Sequence, residues 1–240
     1  MPEKRSAVEP RLVTRRRLLS MFDDYEMRAV GSLRVSSLLP GDLPGEGWEW
    51  LPRSAVESGT GLVLVDMAGE RSAIAPPFPV TEAGEHSGFD RVRELLNHPR
   101  TVALVLLRLG SYAVGVAEDE HVAVSKTGGR YVKGRHRAGG QSQRRFERNR
   151  EKWVRELFDE VCEVSRSRFE AYEKPIDWLA LGGDRQVLGQ FMNRCRMPRD
   201  LAERTLPWRP PIDKPGRSEL ESAVTAVWSS RMYSPPATVD

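Results

Sequence analysis

A Gly-Gly-Gln tripeptide at residues 139–141 is the part of the sequence best suited to do chemistry. Two glycines allow positive φ angles and leave no side chain between the backbone and a ligand. The amide of Gln141 is neutral near pH 7, so it cannot act as a general base, but it can position a water molecule. Its backbone N–H can stabilise a developing oxyanion. These groups fit hydrolysis of a nucleic-acid ester in a site that supplies most of the catalytic power.

Basic residues surround this tripeptide. The stretch from Ser125 to Arg150 contains nine basic residues and a single acidic one, Glu147, whereas the whole chain has a net charge of only +3. Arginine binds phosphate in a forked manner, and concentrated positive charge predicts a polyanionic partner. The residues that we expect to contact RNA are Arg130, Lys133, Arg135, Arg137, Arg144, Arg145 and Arg148.

A long amphipathic helix is predicted directly after the tripeptide and before Pro175. A helix N-terminus presents unpaired N–H groups and partial positive charge, which favour a phosphate ligand. Its first two turns are almost wholly polar and basic, so we expect the start of the helix to project beyond the core with the glycine loop at its tip. The apolar residues with near-helical spacing are Phe146, Trp153, Leu157, Val161, Val164 and Phe169.

The order of the other elements predicts the fold class. Strands are expected at 61–66, 72–75, 101–107, 111–116, 121–125, 177–181 and 204–206, and further helices at 12–25, 89–96, 185–193 and 218–231. This order predicts an α/β (α+β) fold, in which helices pack on a mixed β-sheet. Asp184 is a predicted helix cap, and Ser218 with Glu221 forms a predicted capping box.

Three regions are expected along the 240 residues. Residues 1–54 form an N-terminal helical extension and connector, residues 55–206 a catalytic domain, and residues 207–240 a Pro-rich connector, a C-terminal helix and a tail. Cys162 and Cys195 lack a metal-binding spacing, so we expect reduced buried thiols, no metal and no cofactor. The sequence has no apolar run of transmembrane length and no signal peptide, so a cytoplasmic protein is expected.

The run TGGRYVKGRHRAGGQSQRRFERNREKWVRELF resembles the catalytic region of the Vms-like release factors, also called the ankyrin-repeat and zinc-finger peptidyl-tRNA hydrolase family. It resembles in particular the short, actinobacterial-type members. The family is related to the Gly-Gly-Gln middle domain of eukaryotic and archaeal peptide release factors. The later run IDWLALGGDRQVLGQF resembles the next strand and helix of the family.

The resemblance implies a concrete activity. The loop would enter the peptidyl-transferase centre of the large ribosomal subunit, and water would hydrolyse the ester of peptidyl-tRNA. Gln141 would be the catalytic glutamine, with Gly139 and Gly140 shaping the loop, although a shifted register would make Gln143 the active residue. The chain leaves no room for ankyrin repeats, a zinc finger or a stop-codon-reading domain, which favours rescue of stalled chains in ribosome-associated quality control. We expect a monomer that binds rRNA and peptidyl-tRNA and contacts no membrane.

Two other functions stay open at this point. A non-enzymatic ribosome- or tRNA-binding rescue factor would use the same basic surface, and its salt-sensitive binding would survive Gln141→Ala. A tRNA-end nuclease is the third candidate, but the sequence shows no set of His, Asp and Glu residues suited to phosphodiester cleavage. All three share one surface, so only substitutions at the loop tip can separate them.

Overall fold

The computed structural model describes residues 8–28, 33–130 and 141–236, with the side chains of 141–144 and 146 excepted. The chain divides into two compact units, the first formed by residues 1–98 with 228–240 and the second by residues 99–227. The domain boundaries expected from the sequence, after residues 54 and 206, fall inside these units. Within the described ranges, no helix is long and apolar enough to cross a lipid bilayer.

The first unit is built on a six-stranded antiparallel sheet. Numbered in chain order, its strands are β1 (Arg11–Val13), β2 (Leu33–Leu38), β3 (Leu62–Met67), β4 (Glu70–Ala75), β5 (Gly84–His86) and β10 (Ser230–Tyr233). They lie in the order β1-β10-β4-β3-β2-β5. The helices of this unit are α1 (Arg15–Arg28), α2 (Arg53–Val56) and α3 (Asp90–Asn97).

Both faces of this sheet are covered by packed side chains. Alternate residues of a strand point to opposite sides of the sheet. Val63 and Val65 of β3 belong to a buried cluster that includes Phe22 of α1 and Phe89, whose rings stack with centroids 4.0 Å apart. Leu62 and Leu64, which alternate with them along β3, belong to a second cluster, which Trp48 and Trp50 cover in part. The continuous apolar sequence of β3 therefore reflects burial on both sides.

The second unit contains a four-stranded mixed sheet, and it carries the candidate site. Its strands are β6 (Thr101–Arg108), β7 (Ser111–Glu118), β8 (His121–Gly128) and β9 (Trp178–Gly183), in the order β8-β7-β6-β9. The first three form the predicted antiparallel meander, and β9 lies parallel to β6. The helices are α4 (Gln141–Glu170), α5 (Arg185–Arg194), α6 (Arg199–Glu203) and α7 (Arg217–Val227).

The predicted mixed fold with packed helices is confirmed, although it has two sheets. The C-terminal helix ends at Val227, and the chain continues into β10, which was predicted as helix. Pairing of β10 with both β1 and β4 outweighs its local helical pattern. The capping box is wrong, because α7 begins at Arg217 and Ser218 lies inside the helix. The predicted strand at 204–206 is reduced to a single bridge between Thr205 and Leu179.

Candidate functional site

The candidate catalytic glutamine lies at the start of the longest helix. Gln141 is the first residue of α4, which has 30 residues and is therefore about 45 Å long. The first backbone N–H groups of a helix lack intrahelical acceptors and lie at its positive end. The backbone at Gln141 therefore meets a requirement of the expected chemistry, which is N–H groups available to an oxygen ligand.

Among the described side chains of α4, those of its later turns anchor the helix to the core. Arg145, Glu147, Arg148 and Asn149 are exposed, and the first fully buried side chain among those described is Leu157. From there, the buried side chains of α4 pack with β6, β7 and α5 in one cluster; they are Leu157, Phe158, Val161 and Phe169. The described part of the helix start is thus accessible, as the change in apolar pattern predicts.

The charge along α4 changes sign near its middle. Residues 141–155 include six basic and two acidic residues, whereas residues 156–170 include two basic and five acidic residues. The helix dipole adds positive potential at the same end as the basic residues. A polyanion is therefore attracted to the half of α4 that begins at Gln141 and is repelled by the other half.

Arg130, the last described residue before the segment 131–140, is held against the acidic half of α4. Its Nη1 lies 2.7 Å from Oε2 of Glu156, and its Nε lies 3.4 Å from Oε2 of Glu160. Lys152 also approaches Glu156, at 3.8 Å. These contacts connect the end of β8 to the middle of the helix.

Tyr112 of β7 adds a further connection to the same carboxylates. Its hydroxyl donates a hydrogen bond to Oε1 of Glu160 at 2.9 Å. Burial, followed by the hydrogen bond and the charge of Glu160, raises the pKa of Tyr112 to about 12. The phenol is therefore a donor throughout the physiological pH range. A Cβ at Gly128 would collide with the Tyr112 ring, so this contact requires glycine at the last position of β8.

The predicted site residues fall into three groups. Lys133, Arg135, Arg137, Gly139 and Gly140 lie outside the described residues, as does His136. Gln141, Gln143 and Arg144 are in the first turn of α4, where the structure describes only the backbone. The side chains of Arg130, Arg145 and Arg148 are described; Arg145 and Arg148 are exposed on the basic half of α4, while Arg130 forms the ion pairs given above.

Two links between α4 and α5 were not anticipated. Cys162 and Cys195 form a disulfide, so the prediction of separate reduced thiols is wrong. The Arg194 guanidinium also binds both oxygens of Asp159, at 2.6 and 2.7 Å, and these hydrogen bonds lower the pKa of Asp159. Nothing in the spacing of 33 residues between the cysteines predicts the pair; it depends on how two helices pack.

The predicted helix cap at Asp184 is confirmed. Its Oδ1 accepts hydrogen bonds from the backbone N–H groups of Gln186 and Val187, at 2.9 and 3.0 Å. Gly183, the preceding residue, has a φ of +134° and abuts the Leu107 carbonyl, so a side chain cannot be accommodated there. The strand-to-helix turn that sets the position of α5 beside α4 therefore depends on both residues.

Comparison with known proteins gives relatives among translation factors. Peptide chain release factor subunit 1 of Methanopyrus kandleri is 28% identical over 137 residues, which cover 55% of this chain and 33% of the relative. The protein of the same name from Archaeoglobus fulgidus is 27% identical over 137 residues, covering 55% of this chain and 34% of the relative. The match thus spans about a third of the length of these curated relatives.

Solved structures with partial similarity are also found. The crystal structure of the archaeal translation termination factor aRF1 has a TM-score of 0.43 at 13% identity, covering 90% of this chain and 73% of the other. The Vms1 mitochondrial localization core has a TM-score of 0.42 at 15% identity, with coverage of 73% and 76%.

A match to a family model assigns the chain to a family more directly than these pairwise similarities do. The sequence model of the Actinobacteria/chloroflexi VLRF1 release factors matches residues 100–233, a range that includes the Gly-Gly-Gln tripeptide, all of α4 and the second sheet. Because this match covers more than half of the chain, the protein belongs to the actinobacterial and chloroflexi VLRF1 release factor family.

Proposed function

We propose that the protein is a peptidyl-tRNA hydrolase that releases nascent chains from stalled large ribosomal subunits in ribosome-associated quality control. The observation that carries the proposal is the position of Gln141 at the first residue of a helix whose accessible half is basic. Membership of a release factor family supports the same reaction class. The protein would act in the cytoplasm as a monomer, with rRNA and peptidyl-tRNA as its partners.

In the proposed reaction, a water oxygen bonds to the carbonyl carbon of the peptidyl ester. The bond from that carbon to the ribose oxygen then breaks, so the peptide leaves as a carboxylic acid and the ribose hydroxyl is restored. Gln141 positions the water, and a backbone N–H stabilises the developing oxyanion. Gly139 and Gly140 let the backbone approach the ester. The neutral amide supplies no base, so the peptidyl-transferase centre must contribute the rest of the catalysis.

The arginines have a separate role in this proposal, because they hold the protein on RNA without taking part in bond breaking. Arg145 and Arg148 are exposed on the basic half of α4, where a guanidinium can bind a phosphate through two parallel N–H donors. Lys133, Arg135, Arg137 and Arg144 extend this charge in the sequence. Loss of one phosphate contact should weaken binding and reduce its salt dependence.

The test uses purified large subunits that carry labelled peptidyl-tRNA. Wild type, Gln141→Ala and Gln143→Ala are added, and peptide, tRNA and peptidyl-tRNA are separated on a gel. We expect free peptide and intact tRNA with wild type and Gln143→Ala, and no release with Gln141→Ala. Release that survives both substitutions would refute the catalytic assignment. Binding to the subunit without release by any variant would favour the non-enzymatic rescue factor, and shortened tRNA would favour the nuclease.

A further inference from the structure

A groove of about 470 Å³ lies between α4 and α5, in the second unit. Its apolar lining is formed by Leu109, Val154, Phe158 and Val187, and its polar lining includes Arg150, Gln186 and Gln190. The volume is within the usual range for small-ligand sites, which run from about 300 to 1,000 Å³. An apolar floor with a few convergent polar groups is the arrangement expected of such a site.

Arg150 lines this groove, and its guanidinium includes an unsatisfied donor. Its Nε is buried, and no acceptor among the described residues is within hydrogen-bonding distance of it. Buried polar groups are nearly always hydrogen-bonded, because leaving one unpaired costs free energy. Because Nε is buried, a ligand oxygen would accept its N–H only once the half-buried side chain turns towards the groove. The positive charge of the guanidinium favours an anionic oxygen there.

Most of the other charged groups that line the groove interact with neighbouring groups of the protein. Arg194 is bound by both oxygens of Asp159, and Oδ1 of Asp184 accepts two backbone N–H groups of α5. Arg155 lies close enough to Asp159 to lower the pKa of that carboxyl. Glu151 is exposed on the rim. Arg150 therefore contributes a positive charge to the lining, and its Nε lacks an acceptor within the described structure.

The location of the groove favours RNA as the source of the anion. Arg150 follows Gln141 by nine residues, or about 14 Å along the helix, and it belongs to the basic half of α4. Unpaired RNA bases are recognised when they are splayed out against apolar or aromatic surface and hydrogen-bonded along their edges. The groove offers both, through Val154 and Val187 and through the amides of Gln186 and Gln190.

We propose that the groove between α4 and α5 binds one unpaired nucleotide of an RNA strand, with its phosphate on Arg150 and its base against the apolar floor. This inference rests on the proposed function only in naming RNA as the partner. It adds a binding site that is separate from the tripeptide and takes no part in ester cleavage.

The test is binding of a labelled single-stranded RNA dodecamer, measured by fluorescence anisotropy over a range of salt concentrations. Arg150→Ala should weaken binding about tenfold, as expected for loss of a charge-assisted hydrogen bond, and should lower the salt slope by about one. Arg150→Lys keeps the charge but lacks the Nε donor, and it should weaken binding by about fivefold. Arg168→Ala is the matched control, because Arg168 is exposed on the acidic half of α4.

Each outcome decides the proposal. Equal losses in Arg150→Ala and Arg168→Ala, or a loss below about twofold in Arg150→Ala, would overturn it, provided that thermal unfolding shows both variants folded. A mononucleotide should displace the RNA at a lower concentration than inorganic phosphate or an acidic peptide does. If either of these displaced the RNA at the same concentration as the mononucleotide, the nucleotide assignment would be overturned. If RNA binding depended on Arg150 but the protein released no peptide, the groove proposal would stand and the hydrolase proposal would be refuted.

Discussion

The guanidinium of Arg130 lies 2.7 Å from the carboxylate of Glu156, fifteen residues into the helix that begins at Gln141. The two side chains are 45% and 36% exposed, so the ion pair is partly screened by solvent. We expect Arg130→Ala to lower the free energy of unfolding by about 0.5–1 kcal/mol. Because Arg130 is held by α4, its loss should change the affinity for the RNA dodecamer by less than about twofold, whereas loss of the exposed Arg148 should weaken binding more.

Chemical denaturation and anisotropy measure these two effects separately. The control is a double-mutant cycle of Arg130→Ala, Glu156→Ala and the double variant, in which the two single losses of stability should sum to more than the loss in the double variant. If Arg130→Ala instead weakened RNA binding as much as Arg148→Ala and left stability unchanged, Arg130 would be a direct RNA contact.

Tyr112 provides a prediction about alkaline pH. Its pKa is raised to about 12 in the folded protein by burial and by Glu160, above the ordinary value of 10.0. The folded state therefore favours the neutral phenol. The resulting stabilisation is complete below about pH 10 and is lost as the pH rises towards about 12.

Phenolate absorbance during an alkaline titration checks this directly. Tyr112→Phe should remove one late-titrating tyrosine and leave another, because burial also raises the pKa of Tyr233. The variant should also lose less stability than wild type between about pH 10 and 12. An unchanged titration curve in Tyr112→Phe would contradict the assignment.

The disulfide between Cys162 and Cys195 should contribute to the stability of the second unit. It closes a sequence separation of 33 residues, for which the chain-entropy relation gives roughly 2–4 kcal/mol. We expect reductant to lower the denaturation midpoint of wild type by a corresponding amount. Cys162→Ser, Cys195→Ser and the double variant should all resemble the reduced wild type and should not respond to reductant. A wild type that unfolds identically with and without reductant would argue against the bond.

Two glycines near α5 should respond in opposite ways to the same substitution. Gly183→Ala places a Cβ against the Leu107 carbonyl at a φ of +134°, so it should destabilise the protein by more than about 2 kcal/mol. Gly189 lies within α5 and has open space around it, so Gly189→Ala should stabilise by up to about 1 kcal/mol. Urea denaturation of the two variants measures both effects, and equal responses would refute the steric argument.

Elements with a strong local pattern were predictable from the sequence. The near-helical spacing of the apolar residues of α4 predicted its buried face. The apolar run at 101–107 predicted strand β6, seven of whose residues are buried. Asp184 predicted the start of α5, because an N-cap is a purely local interaction. The tripeptide and its basic flank were likewise visible as residue types at fixed spacing.

Features that depend on distant partners were not predictable. Strand β10 lies where the local pattern favours helix, and its conformation is imposed by β1 and β4 on either side. The ion pairs of Arg130 with Glu156 and Glu160 join residues that are 26 and 30 positions apart, and their sequence suggests only charged surface. The groove at Arg150 requires α5 to pack beside α4, which a single helix pattern cannot indicate.

The first unit of the chain is interrupted by the second, which has a consequence for biosynthesis. Strand β4 ends at Ala75, but its neighbour β10 begins at Ser230, so about 155 residues must be synthesised before the pair can form. At translation rates of about 5–20 residues per second, that interval is roughly 8 to 30 s. During this time the edge of β4 has no partner from β10, and an unpaired edge can pair with other chains. Synthesis of the first unit thus begins before that of the second and is completed after it.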